Sequence, residues 1–272
     1  MSGWRLPVLT YHAANVAGGD YLGNDHVALA ADLAMFARAG WRIVPARWAA
    51  EQVACLADRD LRRCVALTCD DGTDLDLRDL DWPGVGRQRS FAGILAEAAG
   101  RFPALTPHLT SFVIADPQAR AVMDRDCLHG RDWMREWWAE AGPHIEIGCH
   151  SWDHNHPALG TTGLDGMPRG DFFVVDNEAR ADFQIAQALD YIGARIAPAR
   201  CALFAYPYGH ANAFLREDWL PRRGPELGLL GAFGCQGEPA HAGSDRWELP
   251  RFVCGWHWKS AEELWALLAS CA

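Results

Sequence analysis

The sequence has no long uninterrupted hydrophobic run. No window approaches the roughly 18 apolar residues that a bilayer-spanning helix needs. The N-terminal segment Met1–Leu9 also lacks the charged start, apolar stretch and small-residue cleavage site of a secretory signal. We therefore expect a soluble, cytoplasmic protein with no membrane partner.

Basic runs and paired cysteines are missing as well. The formal net charge is −10 and no segment is rich in lysine or arginine, so we expect no nucleic-acid partner and favour neutral or cationic substrates. The nine cysteines form no Cys-x-x-Cys pair, which fits neither a disulfide framework nor a cysteine zinc site. Cys69 and Cys149 adjoin the motifs described below, and small buried thiols are the default interpretation for both.

Apolar runs of strand length alternate with amphipathic stretches along the 272 residues. Strands apolar on both faces, separated by helices, predict a parallel sheet covered by helices, and about eight such units favour an α/β fold of distorted (β/α)7–8 barrel type. We expect one catalytic domain over 1–272, with oligomeric state open. The predicted strands are Pro7–His12, Trp41–Pro45, Cys64–Asp71, Leu109–Ala115, Ile145–Ser151, Ala202–Tyr208, Gly228–Phe233 and Leu249–Cys254.

Three helices are also predicted. Val27–Ala39 and Glu178–Ile192 carry apolar residues at helical spacing. A capping box of Ser260 and Glu263 starts a C-terminal helix. Two long connections, Gly72–Arg89 and Pro157–Gly170, follow candidate strands at the edge where barrels build their sites.

Two adjacent carboxylates end one predicted strand, in Leu67–Gly72 (LTCDDG). Asp70 and Asp71 repel each other when partly buried, so they need a cation, hydrogen bonds or a shared proton. A polar turn that closes a strand is the alternative.

Two histidines four residues apart follow another strand, in Ile147–Pro157 (IGCHSWDHNHP). His150 and His154 can converge on one ion if the chain turns after His150, and Asp71 would complete a set of two imidazoles and one carboxylate. A solvated histidine-rich turn is the alternative, and His156 is a weaker ligand candidate.

A third motif, Phe204–Gly209 (FAYPYG), ends a further strand. Tyr206 and Tyr208 are candidate substrate contacts, and the turn can point a backbone N–H at a bound carbonyl. Core aromatic residues are the alternative.

Together these motifs resemble the polysaccharide deacetylase family, carbohydrate esterase family 4, which contains the NodB-homology domain. Thr68–Gly72 is similar to its Thr-Phe-Asp-Asp-Gly motif, and His150–His154 to its His-Ser/Thr-x-x-His motif. The resemblance implies a TIM-like distorted barrel, with Asp70 as catalytic base and Asp71, His150 and His154 as metal ligands.

The sequence departs from the family at two places. Ala205 stands where such families often carry an arginine that orients the base, and Arg251 is the candidate replacement. No Leu-x-His motif for the general acid occurs near the C-terminus. His12, after the first strand, resembles circularly permuted members and is the candidate acid, with His257 in reserve.

The resemblance implies a metal-dependent hydrolase, acting on carbon–nitrogen bonds other than peptide bonds, that removes an acetyl group from an amide. The expected substrate is an N-acetylated sugar or related small molecule. One divalent ion is expected, zinc first, with cobalt, nickel, manganese or iron(II) as alternatives. Three other functions stay open: a cyclic amide or imide hydrolase, a non-catalytic metal-containing sugar-binding barrel, and a non-haem iron oxygenase with the same ligand types.

Overall fold

The computed structural model of the protein describes residues 4–160 and 167–271, so part of the Pro157–Gly170 connection lies outside the described residues. The strands are β1 Arg5–Leu6, β2 Val8–Tyr11, β3 Arg42–Ile43, β4 Cys64–Cys69, β5 Leu80–Trp82, β6 Gly86–Gln88, β7 Leu109–Val113, β8 Ile145–Cys149, β9 Leu203–Ala205, β10 Gly231–Phe233, β11 Ala240–His241 and β12 Phe252–Val253. The α-helices are α1 Asp25–Ala39, α2 Arg47–Val53, α3 Phe91–Arg101, α4 Pro117–Cys127, α5 Glu178–Ala181, α6 Gln187–Ile196, α7 Leu220–Arg223 and α8 Ala261–Cys271. Two π-helical segments, Asp182–Ala186 and Phe214–Trp219, lead into α6 and α7.

A curled parallel sheet forms the centre of the fold. Its strands run in the order β10-β9-β8-β7-β4-β2-β12, and β3 pairs with the start of β4. A bridge from Phe233 to Leu249 brings the β10 edge against the chain just ahead of β12. Each of the eight predicted strands contains one of these strands, and the predicted barrel-type α/β class is confirmed.

The central strands of the sheet are buried along their whole length. All six residues of β4 are buried, as are all four of β2. Thr10 and Thr68 share a hydrogen bond of 2.9 Å, so neighbouring strands satisfy their buried hydroxyls on each other. Burial on both faces therefore explains why these strands appear as apolar runs in the sequence.

Helix α1 begins two residues before the predicted start. The Asn24 side chain accepts hydrogen bonds from the N–H groups of His26 and Val27, which fixes the first turn. The predicted helix Glu178–Ile192 is divided into α5, a π segment and α6, and ends at Ile196. At α8, Ser260 Oγ accepts from Glu263 N–H as the capping box predicts, while Glu263 accepts from the N–H of Lys259.

Parallel strands place their carboxyl ends at one edge of the sheet. Asp70 follows β4, His150 follows β8, His12 follows β2 and the turn Pro207–Gly209 follows β9. The motifs that are distant in sequence therefore lie together at this edge. Within the described residues, no helix is both long and apolar enough to cross a membrane.

Candidate active site

Asp70 and Arg251 form a buried ion pair at the centre of the sheet edge. Arg251 Nη1 and Nη2 donate to the two carboxylate oxygens of Asp70 at 2.8 and 2.9 Å, and the Arg251 side chain is fully buried. Arg251 Nε donates to the carbonyl of Gly234 at 3.0 Å, and its guanidinium lies over the Phe112 ring. This bidentate contact fixes the plane and the position of the carboxylate.

The pKa of Asp70 reflects a balance between burial and charge. Burial by itself raises the pKa, but the Arg251 guanidinium, with His150 nearby, outweighs it and holds the pKa well below the usual range. Asp70 is consequently ionised at neutral pH and can accept a proton.

The two motif histidines are brought together by a tight turn. His154 N–H donates to Ser151 Oγ at 2.9 Å, and Ser151, His154 and Asn155 all adopt positive φ angles of 71°, 60° and 45°. The His150 and His154 rings are 4.8 Å apart between centroids. The turn that the sequence required after His150 is therefore present.

Asp71 completes a compact set of possible metal ligands. Its Oδ1 lies 3.7 Å from His154 Nε2 and 3.9 Å from His150 Nε2, and the three ligand atoms fall within 4.8 Å of one another. An ion about 2.0–2.2 Å from each atom fits between ligands at this spacing. Asp71 itself has a φ of 76°, and Gly72 follows at 72°, where a Cβ would come within 2.6 Å of Val113.

Both imidazoles are placed to bind a metal through Nε2. His150 Nδ1 donates to the Ala205 carbonyl at 2.9 Å, so Nε2 is the ring atom that faces Asp71. Burial, with His150 nearby, holds the pKa of His154 well below its usual range, which keeps that ring neutral. His154 Nδ1 has no hydrogen-bond partner among the described residues. Ala205, where family members often carry an arginine, thus contributes its carbonyl oxygen.

The two tyrosines of the third motif have different environments. Tyr208 is 37% exposed and its ring lies 4.5 Å from that of His154. Tyr206 is fully buried and donates its hydroxyl to the Trp247 carbonyl at 2.6 Å. The structure brings Tyr208 to the site and leaves Tyr206 in the core, because the chain turns at Pro207–Gly209 and Tyr208 adopts a positive φ of 60°.

His12 and His257 differ in the same way. His12 lines the cavity beside Asp70, and its backbone N–H donates to Asp25 Oδ2 at 2.7 Å. Among the described residues that line the cavity, His257 does not occur. Its Nδ1 instead accepts a hydrogen bond from the Val253 N–H at 2.8 Å. His12 therefore lies at the cavity, and its role as general acid stays a prediction.

A cavity of about 330 Å³ opens over these groups. The predicted ligands, Asp70, His12 and Tyr208 all line it. The remaining lining residues are Ala14, Thr73, Met123, Cys127, Leu128, Met134, His156, Gly209, Cys235, Val253 and Trp256. One pocket therefore contains the candidate base, the three candidate metal ligands and the candidate acid.

The sequence and the fold were compared with those of known proteins. No protein-family model matches the chain, and no curated protein matches its sequence. Among solved structures, the Streptococcus pyogenes deacetylase PplD in complex with acetate superposes with a TM-score of 0.63 at 16% identity, covering 98% of this chain and 99% of that one. The chain has the fold of a bacterial deacetylase.

Two further structures share this fold. IcaB from Ammonifex degensii gives a TM-score of 0.62 at 19% identity, covering 99% of this chain and 97% of that one. A de-N-acetylase from Aggregatibacter actinomycetemcomitans gives 0.59 at 12% identity, covering 97% and 99%. The circularly permuted arrangement predicted for the first strand stays a prediction.

Within this deacetylase fold, sequence reasoning missed the residues that hold the site together. Asp153, between the two histidines, accepts hydrogen bonds from Gln184, Asn155 and Arg169 at 2.6, 2.8 and 2.7 Å. Its position inside the histidine motif was the only available signal. Asp76 was missed as well, since no motif marks it. It lies buried near Asp70 and Asp71 and accepts from Ser111 Oγ at 2.6 Å.

The cysteines beside the motifs stay outside the ligand set. Cys69 is buried and donates to Asp76 Oδ2 at 3.3 Å, and Cys149 is buried as well. All nine cysteines of the protein are free thiols. The default interpretation of Cys69 and Cys149 as small buried residues agrees with this placement.

Proposed function

We propose that this protein is a divalent-metal-dependent hydrolase that removes an acetyl group from an amide, such as an N-acetylated sugar or a related small molecule. The observation that carries the proposal is the Asp70–Arg251 pair next to Asp71, His150 and His154. A metal site with a purely structural role would need only the three ligands and no Asp70–Arg251 pair beside them. Asp70 is ionised and held in a fixed position beside them, which places it to act as a hydrolytic base.

Asp71, His150 and His154 would hold the ion. When bound, a divalent ion supplies Lewis-acid polarisation of the amide carbonyl and acidifies water, and zinc suits this ligand set best, with cobalt, nickel, manganese or iron(II) as alternatives. Asp70 accepts the proton of the attacking water. Arg251 acts through Asp70, since it keeps the carboxylate ionised and correctly oriented.

Tyr208 and His12 complete the proposed chemistry. The carbonyl oxygen gains charge as water attacks, and the backbone N–H of Tyr208, in a turn with φ of 60°, donates to it. His12 then delivers a proton to the departing nitrogen, which leaves as a free amine. Asp25 fixes the His12 backbone and thereby the reach of the ring.

The oxygenase alternative is less well supported. Two histidines and one carboxylate also hold iron in non-haem oxygenases, but those sites have no use for a second carboxylate fixed by arginine. The inactive-barrel alternative rested on the missing family arginine, and Arg251 contacts Asp70 in its place.

Three variants test the proposal together. Asp70→Asn retains the metal and loses acetate release by about 10²–10⁴-fold, the typical contribution of a general base. His150→Ala and His154→Ala lose both metal and hydrolysis. His241→Ala, a histidine on β11 outside the cavity, is the matched control and retains both.

The measurements are metal content and acetate release from N-acetylated amides, with thermal melting as a check of folding. Wild-type turnover in Asp70→Asn would remove Asp70 as the base. Full metal content in both histidine variants would remove the ligand assignment.

A further inference from the structure

One wall of the cavity is almost entirely apolar. It is formed by Met123 and Cys127 of α4 and by Leu128 and Met134 of the segment that follows, and we call these four residues the methionine wall. The wall follows β7, which lies between the two strands that supply the metal ligands. A substrate group that extends from the reacting amide toward this wall would contact methionine and leucine side chains.

Buried charged residues hold the wall in place from behind. Asp124 accepts hydrogen bonds from the N–H groups of Asp132 and Trp133 at 2.9 and 2.7 Å. Arg120, only 3% exposed, donates to the Met134 carbonyl at 3.0 Å. These bonds fold the segment back on α4 and fix Met134 toward the cavity.

A third buried charge ties the same segment to the catalytic loop. The N–H of Asp74 donates to the Trp133 carbonyl at 2.7 Å, and Asp74 Oδ1 accepts from the N–H of Arg135 at 2.8 Å. Asp74 is fully buried and lies three residues after Asp71. The wall is thus built as a fixed part of the site, since three buried charged residues position it.

The wall offers little to a sugar. Sugar hydroxyls need paired donors and acceptors, and specificity for them comes from a few placed polar side chains. The four side chains of the wall offer only thioether and thiol sulfur to a hydroxyl, and sulfur is a weak hydrogen-bonding atom. The wall contains no carboxylate or amide, which are the groups that bind several hydroxyls at once.

We infer that the site accepts an amide bearing an apolar group, hydrocarbon or aromatic, that packs on the methionine wall. This inference rests on the proposed function and narrows its substrate class. Methionine suits the task because its flexible thioether adapts to irregular shapes and makes favourable contacts with aromatic rings. The apolar group can belong to the acyl side or to the amine side of the amide.

Three probes show whether the apolar group belongs to the acyl side or to the amine side. They are N-acetylglucosamine, N-hexanoylglucosamine with an apolar acyl chain, and N-acetylbenzylamine with an apolar amine. We expect metal-loaded protein to favour one of the two apolar amides by about tenfold or more in kcat/KM, the range that extra methylenes give in an apolar pocket. The favoured probe identifies the side that the wall contacts.

A matched pair of variants ties the preference to the wall. Met134→Gln keeps length and shape but makes the wall polar, and reduces the preference at least about fivefold. Met35→Gln makes the same change on α1, away from the cavity, and leaves the preference as in wild type. Thermal melting of both variants shows that they are folded.

Calorimetric binding of the same three probes separates this inference from the proposed function. If no probe is hydrolysed but an apolar amide binds best and Met134→Gln weakens it, the inference stands and the hydrolase proposal fails. Preference for N-acetylglucosamine in turnover or binding overturns the inference and leaves the hydrolase proposal intact. An apolar preference that Met134→Gln does not change overturns it too.

Discussion

At the scale of single residues, Arg251 is the side chain on which the proposed chemistry depends most. It reaches Asp70 from the segment ahead of β12 and lies fully buried. Removal of one partner from a buried ion pair typically costs about 3–5 kcal/mol of stability. The pair therefore supports both folding and the ionisation of the base.

Arg251→Lys is expected to lower turnover by about 10²-fold, because lysine keeps the charge but cannot hold both oxygens of Asp70. Metal content should stay unchanged. Arg216→Lys, at an ion pair with Glu248 outside the cavity, is the control and should retain activity. Acetate release and metal content measure the outcome. An Arg251→Lys protein of wild-type activity would show that charge alone suffices.

A second residue-scale feature lies behind the candidate acid. Asp32 accepts the hydroxyls of Tyr11 and Tyr21 at 2.8 Å each, and burial, with Asp25 nearby, raises its pKa from 3.8 to about 7. In the unfolded chain this carboxyl ionises near pH 3.8, so between about pH 4 and 7 the folded state binds more protons. The protonated Asp32 carboxyl therefore stabilises the folded state at low pH, and this contribution is lost as pH rises through this window.

Asp32→Asn removes that titration. The free energy of unfolding of the wild type should fall relative to the variant between about pH 5 and about pH 8, by at most about 3 kcal/mol at one pKa unit per 1.36 kcal/mol. Urea unfolding of both proteins at both pH values measures the difference. A difference that does not change with pH would mean that Asp32 is ionised throughout in the folded protein.

At the scale of elements, the segment after α4 depends on side-chain contacts because it contains little regular structure. Between α4 and β8 the structure has only the short 3₁₀ turn Trp138–Glu140. Asp124 and Arg120 therefore supply hydrogen bonds that a helix or strand would otherwise provide. Loss of these hydrogen bonds would let the segment open locally without unfolding the sheet.

Asp124→Ala should release it. We expect faster amide hydrogen exchange confined to residues 128–136, since two backbone N–H groups lose their acceptor, with β4 and β8 unaffected. Asp126→Ala, on the same helix but at an exposed ion pair with its neighbour Arg125, is the matched control. Exchange that rises equally in both variants would contradict this role for Asp124.

At the scale of the whole molecule, the curled sheet gathers Asp70, Asp71, His150 and His154 at one edge, where two carboxylates repel each other. A cation bound to the folded protein alone would stabilise it through mass action, by about 2.7 kcal/mol at a hundredfold excess over its Kd. Folding and metal binding should therefore be coupled.

Removal of metal with a chelator is expected to lower Tm by about 5–10 °C for a chain of this size, and to abolish hydrolysis. Readdition of zinc or cobalt should restore both. The same treatment of His150→Ala should not shift Tm. A chelator-insensitive wild type with measurable divalent metal would place the ion outside the Asp71, His150 and His154 set.

The sequence by itself determined the strand pattern and the ligand types. Strands enclosed on both faces must be apolar throughout, so β4 and β8 were visible in the sequence, and the acidic and histidine motifs followed them directly. Helix ends were less visible: the Asn24 cap and the π segment at Asp182–Ala186 depend on local geometry.

Only the tertiary structure decided which side chains share the cavity. Arg251 and Asp70 are 181 positions apart, and their contact depends on how the sheet curls. The separation of Tyr206 from Tyr208 followed from the turn at Pro207–Gly209, and the methionine wall from buried charges with no motif of their own. Local sequence encodes local backbone preference and burial, whereas long-range contacts arise only when the whole sheet has assembled.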